Sequence, residues 1–200
     1  AVRFRPDHWL LAEGGRIVAA QREAPGEDWA CHDHRGALVL PGFVDTHVHS
    51  AQIDVIASYG TELLDWLTTH TFPAEARHAE SAHAKGAAAH FLEALLAHGT
   101  TSAVVFPTVH AGSVDALFAA AEARGMRVIA GKVLMDRNAP ADLVDDVATG
   151  EREMEDLIAR WHGRARLAYA VTVRFAPTST RAQLALAGRL CRADPTLYMQ

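Results

Sequence analysis

From residue 42 onward the chain alternates short runs of small and β-branched residues with longer, alanine-rich stretches, and this alternation limits the available folds more than any other feature. Two parallel strands cannot be joined by a tight turn; they need a crossover of a dozen or more residues, usually a helix. The alternation therefore predicts βαβ units around a parallel sheet, an α/β architecture. Strands are expected over residues 42–47, 100–106, 126–131 and 165–173, and helices over 81–98, 113–124, 149–162 and 180–192. Gly99 and Gly125 supply left-handed stops for two of these helices, and Ser113 is the expected N-cap of the second. The long connection after the first strand holds a short helix over 62–70 and a turn at Phe72-Pro73.

Residues 1–40 read differently, as short strands. HWLLAEGGRIVAA forms two of them joined at Gly14-Gly15, a two-residue loop that favours a primed hairpin turn. Half of the residues are hydrophobic, enough for a sizeable core. The 19 basic and 24 acidic side chains are dispersed and leave a net charge of -5, which argues against a nucleic-acid or membrane surface. Cys31 and Cys191 are too few for a disulfide framework or a paired-cysteine metal site and read as free thiols in a reducing cytoplasm. No apolar run approaches the roughly 18 residues of a membrane span. Arg3, Arg5, Asp7, Glu13 and Arg16 break up the first twenty residues, so they are not a signal peptide.

The first strand of the alternating region ends in His47 and His49. Side chains two apart on a strand share a face, with backbones roughly 6 to 7 Å apart, so both imidazoles can reach one metal ion. Neutral imidazole suits zinc, iron or nickel. The pair alone is weak evidence, because 12 histidines in 200 residues give about 0.7 chance occurrences of the same spacing. His32 and His34 are such a second pair, in a polar segment that reads as a solvated turn. What distinguishes His47 and His49 is the buried-strand signature before them, Leu38, Val39, Leu40, Phe43 and Val44, interrupted only by Pro41-Gly42. Asp45 shares their face and reads as a buried structural residue or as a partner that orients a metal-bound histidine, ahead of a ligand itself.

PGFVDTHVH resembles the first-strand motif of the amidohydrolase superfamily, whose members are metal-dependent (β/α)8-barrel hydrolases. HVHSAQ, LLDWLTTHTFPAE, HGTTSAVVF, GKVLMDRNAP and VTVRFAPTST follow in order to about residue 180, and together they resemble the guanine deaminases within that superfamily. The resemblance implies the N-terminal part of a metal-dependent (β/α)8 TIM barrel over residues 41–200, preceded over 1–40 by strands of a small β-sandwich domain. At 200 residues the chain is shorter than the roughly 250 of such a barrel. It also begins without methionine and stops within an apolar run at 197–200. It is therefore expected to be the N-terminal piece of a longer protein.

Barrel active sites sit at the C-terminal ends of the strands, and the resemblance makes His47 and His49 metal ligands there. Gln52, three residues on, can face the same cavity, and its amide offers both a donor and an acceptor to a purine edge. An ordinary loop glutamine is the alternative. Arg174 and Phe175 close the fourth strand. Arginine forks onto guanine O6 and N7 and an aromatic ring stacks on a base; a surface arginine beside a core phenylalanine is the alternative. Val173 stands where the family has proline. Trp66 reads as core or pocket wall, His110 as a supporting residue at the rim, and Lys132 and Asp136 as possible cavity lining. His78, His83, His90 and His98 read as solvated or helix-terminal.

The implied reaction is hydrolytic deamination of guanine to xanthine and ammonia, at C2 of the purine, with one Zn2+ per subunit, or Fe2+, activating water. The proton-shuttling glutamate and the remaining ligands are expected after Gln200. On that expectation the 200 residues alone are inactive and hold metal weakly. Guanine is the implied partner, in a cytoplasmic homodimer. Two other readings stand beside it: an aminohydrolase of another purine, a triazine or a pterin, and a non-catalytic barrel scaffold.

Overall fold

A computed structural model describes residues 3–60 and 62–200. It divides into two compact units, Ala1–Pro41 and Gly42–Gln200. In the first, strands β1 (Trp9–Glu13) and β2 (Arg16–Gln21) pair antiparallel. Gly14 and Gly15 between them both have positive φ, 55° and 74°, as a primed turn requires. Leu38, Val39 and Leu40 depart from expectation: they lie outside any strand and are 64%, 61% and 57% exposed. Pro41 accounts for the late start of the next strand, because it has no N–H to donate to a ladder.

The second unit carries β3 (Phe43–His49), β4 (Thr100–Phe106), β5 (Arg127–Ala130), β6 (Val133–Leu134), β7 (Leu167–Val173) and β8 (Tyr198–Met199). All pair in parallel, in the order β3-β4-β5-β7, with β8 also on β7. β6 prolongs β5: β5 pairs with Leu167–Tyr169 and β6 with Thr172 and Val173. Gly131 lies in the break between them, where a Cβ would fall 1.7 Å from the Ala170 carbonyl oxygen, so only glycine lets the strands approach. Each strand position lies beside the one before it in the chain, which is how a barrel wall is laid down.

The crossovers are α1 (Leu63–Trp66), α2 (Phe72–Ala76), α3 (Ser81–Ala97), α4 (Ala111–Ala123), α5 (Val147–Trp161) and α6 (Arg181–Ala193). Their apolar faces bury Phe91, Leu92, Leu117, Phe118, Met154 and Leu186 against Val105, Val128, Tyr169 and Val171 of the sheet. Asp146 caps α5 by accepting from the Thr149 N–H at 2.9 Å, and Thr180 caps α6 through the Gln183 N–H. Ser113 is not the cap expected of it. α4 begins at Ala111 after an extended His110, and Ser113 is buried in the first turn. Its hydroxyl donates to the His110 carbonyl at 2.8 Å and lies 2.7 Å from Thr108 Oγ1, tying the helix to the end of β4.

The expected turn at Phe72-Pro73 is helical instead. α1 runs into a π-helical turn, Leu67–Thr71, and then directly into α2, with the Phe72 N–H donating to the Leu67 carbonyl. Proline inside a helix lacks a donor and crowds the carbonyl four residues back. A single wide turn relieves that conflict, and such π-bulges recur at functional sites.

Candidate active site

β3 delivers His47 and His49 to one face at its C-terminal end. Their ring centroids are 5.1 Å apart, with the planes at 77°. Phe106, at the end of β4, packs against both and stacks on His49 at 4.8 Å. Burial, with the nearby charge of Arg174 and then that of His47, pulls the His49 pKa down to about 4. The ring is therefore neutral at pH 7, the form that can give a lone pair to a metal. Of the two roles open to it, Asp45 takes the structural one: it accepts from the His47 backbone N–H at 3.0 Å and so braces the strand. His32 and His34 are exposed in an irregular segment.

The chain turns after His49 into a 3-10 helix, Ser50–Val55, which places Gln52 Nε2 3.1 Å from His49 Nδ1 and 3.5 Å from Glu75 Oε1. Arg174 follows β7, and its Nη1 donates to Glu75 Oε2 at 2.5 Å, with the two side chains only 7% and 1% exposed. The Phe72 ring lies 5.3 Å from the guanidinium carbon. His49, Gln52, Glu75 and Arg174 thus form a continuous polar chain from the end of β3 to the end of β7. Burial pushes the Glu75 carboxyl up, and Arg174 and Gln52 oppose that shift. Phe175 is 43% exposed and extends outward from the same strand end.

Glu75 was not anticipated as a site residue. Reading Phe72-Pro73 as a turn assigned it to a loop. The π-turn continues the helix, so Thr71 and Glu75, four residues apart, share its buried face. A carboxylate in an otherwise apolar, proline-containing segment was the available signal.

A cavity of about 510 Å³ opens beside β3, with His47, His49, Gln52, Trp66, Phe91 and His98 among its walls. Trp66 serves as a wall, and its indole N–H donates to Ser58 Oγ at 3.0 Å. Gln52 touches both this cavity and Glu75, whereas Arg174 and Phe175 are not among the walls. Among the described residues, no three His, Cys, Asp or Glu side chains gather as a metal site.

Lys132 and Asp136 do not line that cavity. Lys132 is fully buried, donates to the Val109 carbonyl, and pairs with Asp145 and, at 3.1 Å, with Glu153. Asp136 accepts from the Thr180 N–H and hydroxyl at 2.7 and 2.5 Å, fastening the loop after β6 to the start of α6. His78 is buried, not solvated: its Nδ1 lies 3.1 Å from the Ala74 carbonyl and its ring meets His83 edge-on. His110, after β4, lines a second cavity with His78, Asp145 and Glu153, and burial lowers its pKa.

The His49 shift predicts a pH dependence. The unfolded ring takes a proton near its ordinary value of 6.5, and the folded ring only near 4. As pH falls through that window the unfolded state binds more protons, so metal-free protein loses stability. Thermal melts of the metal-free protein between pH 7 and 4.5 should show that loss, and a smaller one in His49→Gln. An equal slope in the variant would refute the assignment.

The profile of the amidohydrolase family matches residues 38–198, which takes in β3 to β7, the histidine pair and Arg174. The chain belongs to the amidohydrolase family. It is 45% identical to the guanine deaminase of Escherichia coli (strain K12) over 205 residues, covering 100% of this chain and 46% of that protein. A solved E. coli guanine deaminase is 49% identical with a TM-score of 0.76, covering 80% of this chain and 36% of its own. Guanine deaminase from C. acetobutylicum, solved with guanine in its active site, is 27% identical with a TM-score of 0.90, covering 97% and 47%. This amidohydrolase chain thus spans less than half the length of those relatives.

Proposed function

We propose that this chain forms the N-terminal part of a guanine deaminase, a metal-dependent hydrolase that converts guanine to xanthine and ammonia. One observation carries the reading: the part-buried polar chain His49–Gln52–Glu75–Arg174 links a pair of metal-competent imidazoles at the end of β3 to a guanidinium at the end of β7. The similarity to guanine deaminases across the whole chain supports it.

The residues present fit a metal as part of its shell. His47 and His49 are two nitrogen donors on one face, and the second is neutral at pH 7. They would hold Zn2+, or Fe2+; such an ion, when bound, supplies Lewis acidity and a nucleophilic water at neutral pH. The chain's own residues do the rest by orientation. Arg174 donates to the purine O6 and N7 edge, Gln52 hydrogen-bonds the ring, and the exposed Phe175 covers a ring face. Together they would turn C2, which bears the leaving amine, toward the histidine pair. Free Cys31 and Cys191 are in keeping with the cytoplasm, and a homodimer belongs to the same reading.

The test is ammonia and xanthine release from guanine by the zinc-loaded full-length protein, run beside triazine and pterin amines. Stoichiometric metal and guanine as the preferred substrate are expected. A preference for another amine would reassign the substrate, and less than one metal per chain with no turnover would favour a scaffold.

A further inference from the structure

Glu75 divides its carboxylate between two elements: Oε2 accepts from Arg174, and Oε1, more loosely, from Gln52. A guanidinium has five N–H donors, so Arg174 keeps most of its fork for a ligand while the Phe72 ring limits its swing. Gln52, with its nitrogen turned to Glu75 at 3.5 Å and to His49 Nδ1 at 3.1 Å, is left with its oxygen to accept from a ligand. The carboxylate can only accept while ionised, so it enforces both orientations at once.

We propose that Glu75 is a positioning residue that sets specificity: it aims Arg174, which can only donate, and turns Gln52 so that its oxygen accepts from the bound ring. That pattern suits a heterocycle with a carbonyl oxygen beside a ring N–H, as in guanine, and opposes one with an amine beside a bare ring nitrogen. The inference rests on the guanine reading above. Glutamine at position 75 would break this logic, because its amide can donate to Gln52 and release it to turn over.

The test compares guanine with 2,6-diaminopurine, which keeps the 2-amine but reverses the neighbouring donor and acceptor. Metal-loaded full-length wild type, Glu75→Gln, Arg174→Gln and the double variant are assayed with both. Glu75→Gln should lower kcat/KM for guanine by about 100-fold, the scale of a small misplacement in a site, and leave 2,6-diaminopurine nearly unchanged, so that the preference narrows. The losses should be less than multiplicative in the double variant, because part of what Glu75 does runs through Arg174 and only the part exerted on Gln52 remains to be lost. An unchanged preference in Glu75→Gln, or losses that multiply in the double variant, overturns the role of Glu75. Should Glu75→Gln fail to fold, Glu75→Asp carries the test: it keeps a carboxylate and should keep the guanine preference, whose loss overturns the role. Wild type that acts on 2,6-diaminopurine in preference to guanine overturns the guanine reading, and wild type that acts on neither overturns both.

Discussion

Substituting His49 with alanine should lower kcat for guanine by about 10³-fold, as expected if a metal contributes several kcal/mol of transition-state stabilisation. The variant loses one of two imidazoles that share a strand face 5.1 Å apart. It also loses the ring that Gln52 faces at 3.1 Å. Metal analysis after loading and dialysis should find less than one equivalent per chain, whereas His32→Ala, in the exposed segment, should retain full metal and turnover. An equal loss in both variants would show that spacing alone, without the strand, explains the pair.

Arg174→Ala should be as damaging, in two separable ways. Its guanidinium is 7% exposed and paired with a carboxylate that is 1% exposed. Truncating it leaves Glu75 charged and buried without its partner, or forces it to take a proton; breaking a buried pair in this way costs about 3 to 5 kcal/mol. Denaturant unfolding would read that loss. If Arg174 also grips the purine, kcat/KM for guanine falls by about 10³-fold beyond what the unfolded fraction explains. Turnover that tracks only the folded fraction would leave Arg174 a structural residue and remove it from the substrate site. The double variant Arg174→Ala/Glu75→Gln, which removes both charges, should regain part of the stability but not the guanine activity.

The parts of the site legible in the sequence were those whose signal is local. His47 and His49 follow from the two-residue period of a strand, and the strand itself from its β-branched run. Arg174 is legible because it stands at the end of another such run. Glu75 was hidden for a local reason too: Pro73 is a strong signal for a turn, and only a π-turn, Leu67–Thr71, lets the helix continue through it. Leu38–Leu40 failed in the opposite sense. Their composition suits a strand, but a strand needs ladder partners, and Pro41 delays the pairing until Phe43.

Lys132 shows the same limit. Its position after β5 makes it a candidate cavity residue, yet it is not among the walls of the cavity beside β3 and is held instead in a buried cluster with Asp145 and Glu153. Its partners lie 13 and 21 residues later, beyond the reach of any periodicity. By itself, then, the sequence determined the alternation of strands and helices, the parallel sheet that follows from it, and which strand ends carry imidazole and guanidinium. Only the tertiary structure decided that one buried glutamate joins Gln52 to Arg174. Backbone periodicity is set by near neighbours, whereas the partner of a buried charge is chosen by whatever distant side chain the packing brings within hydrogen-bond reach.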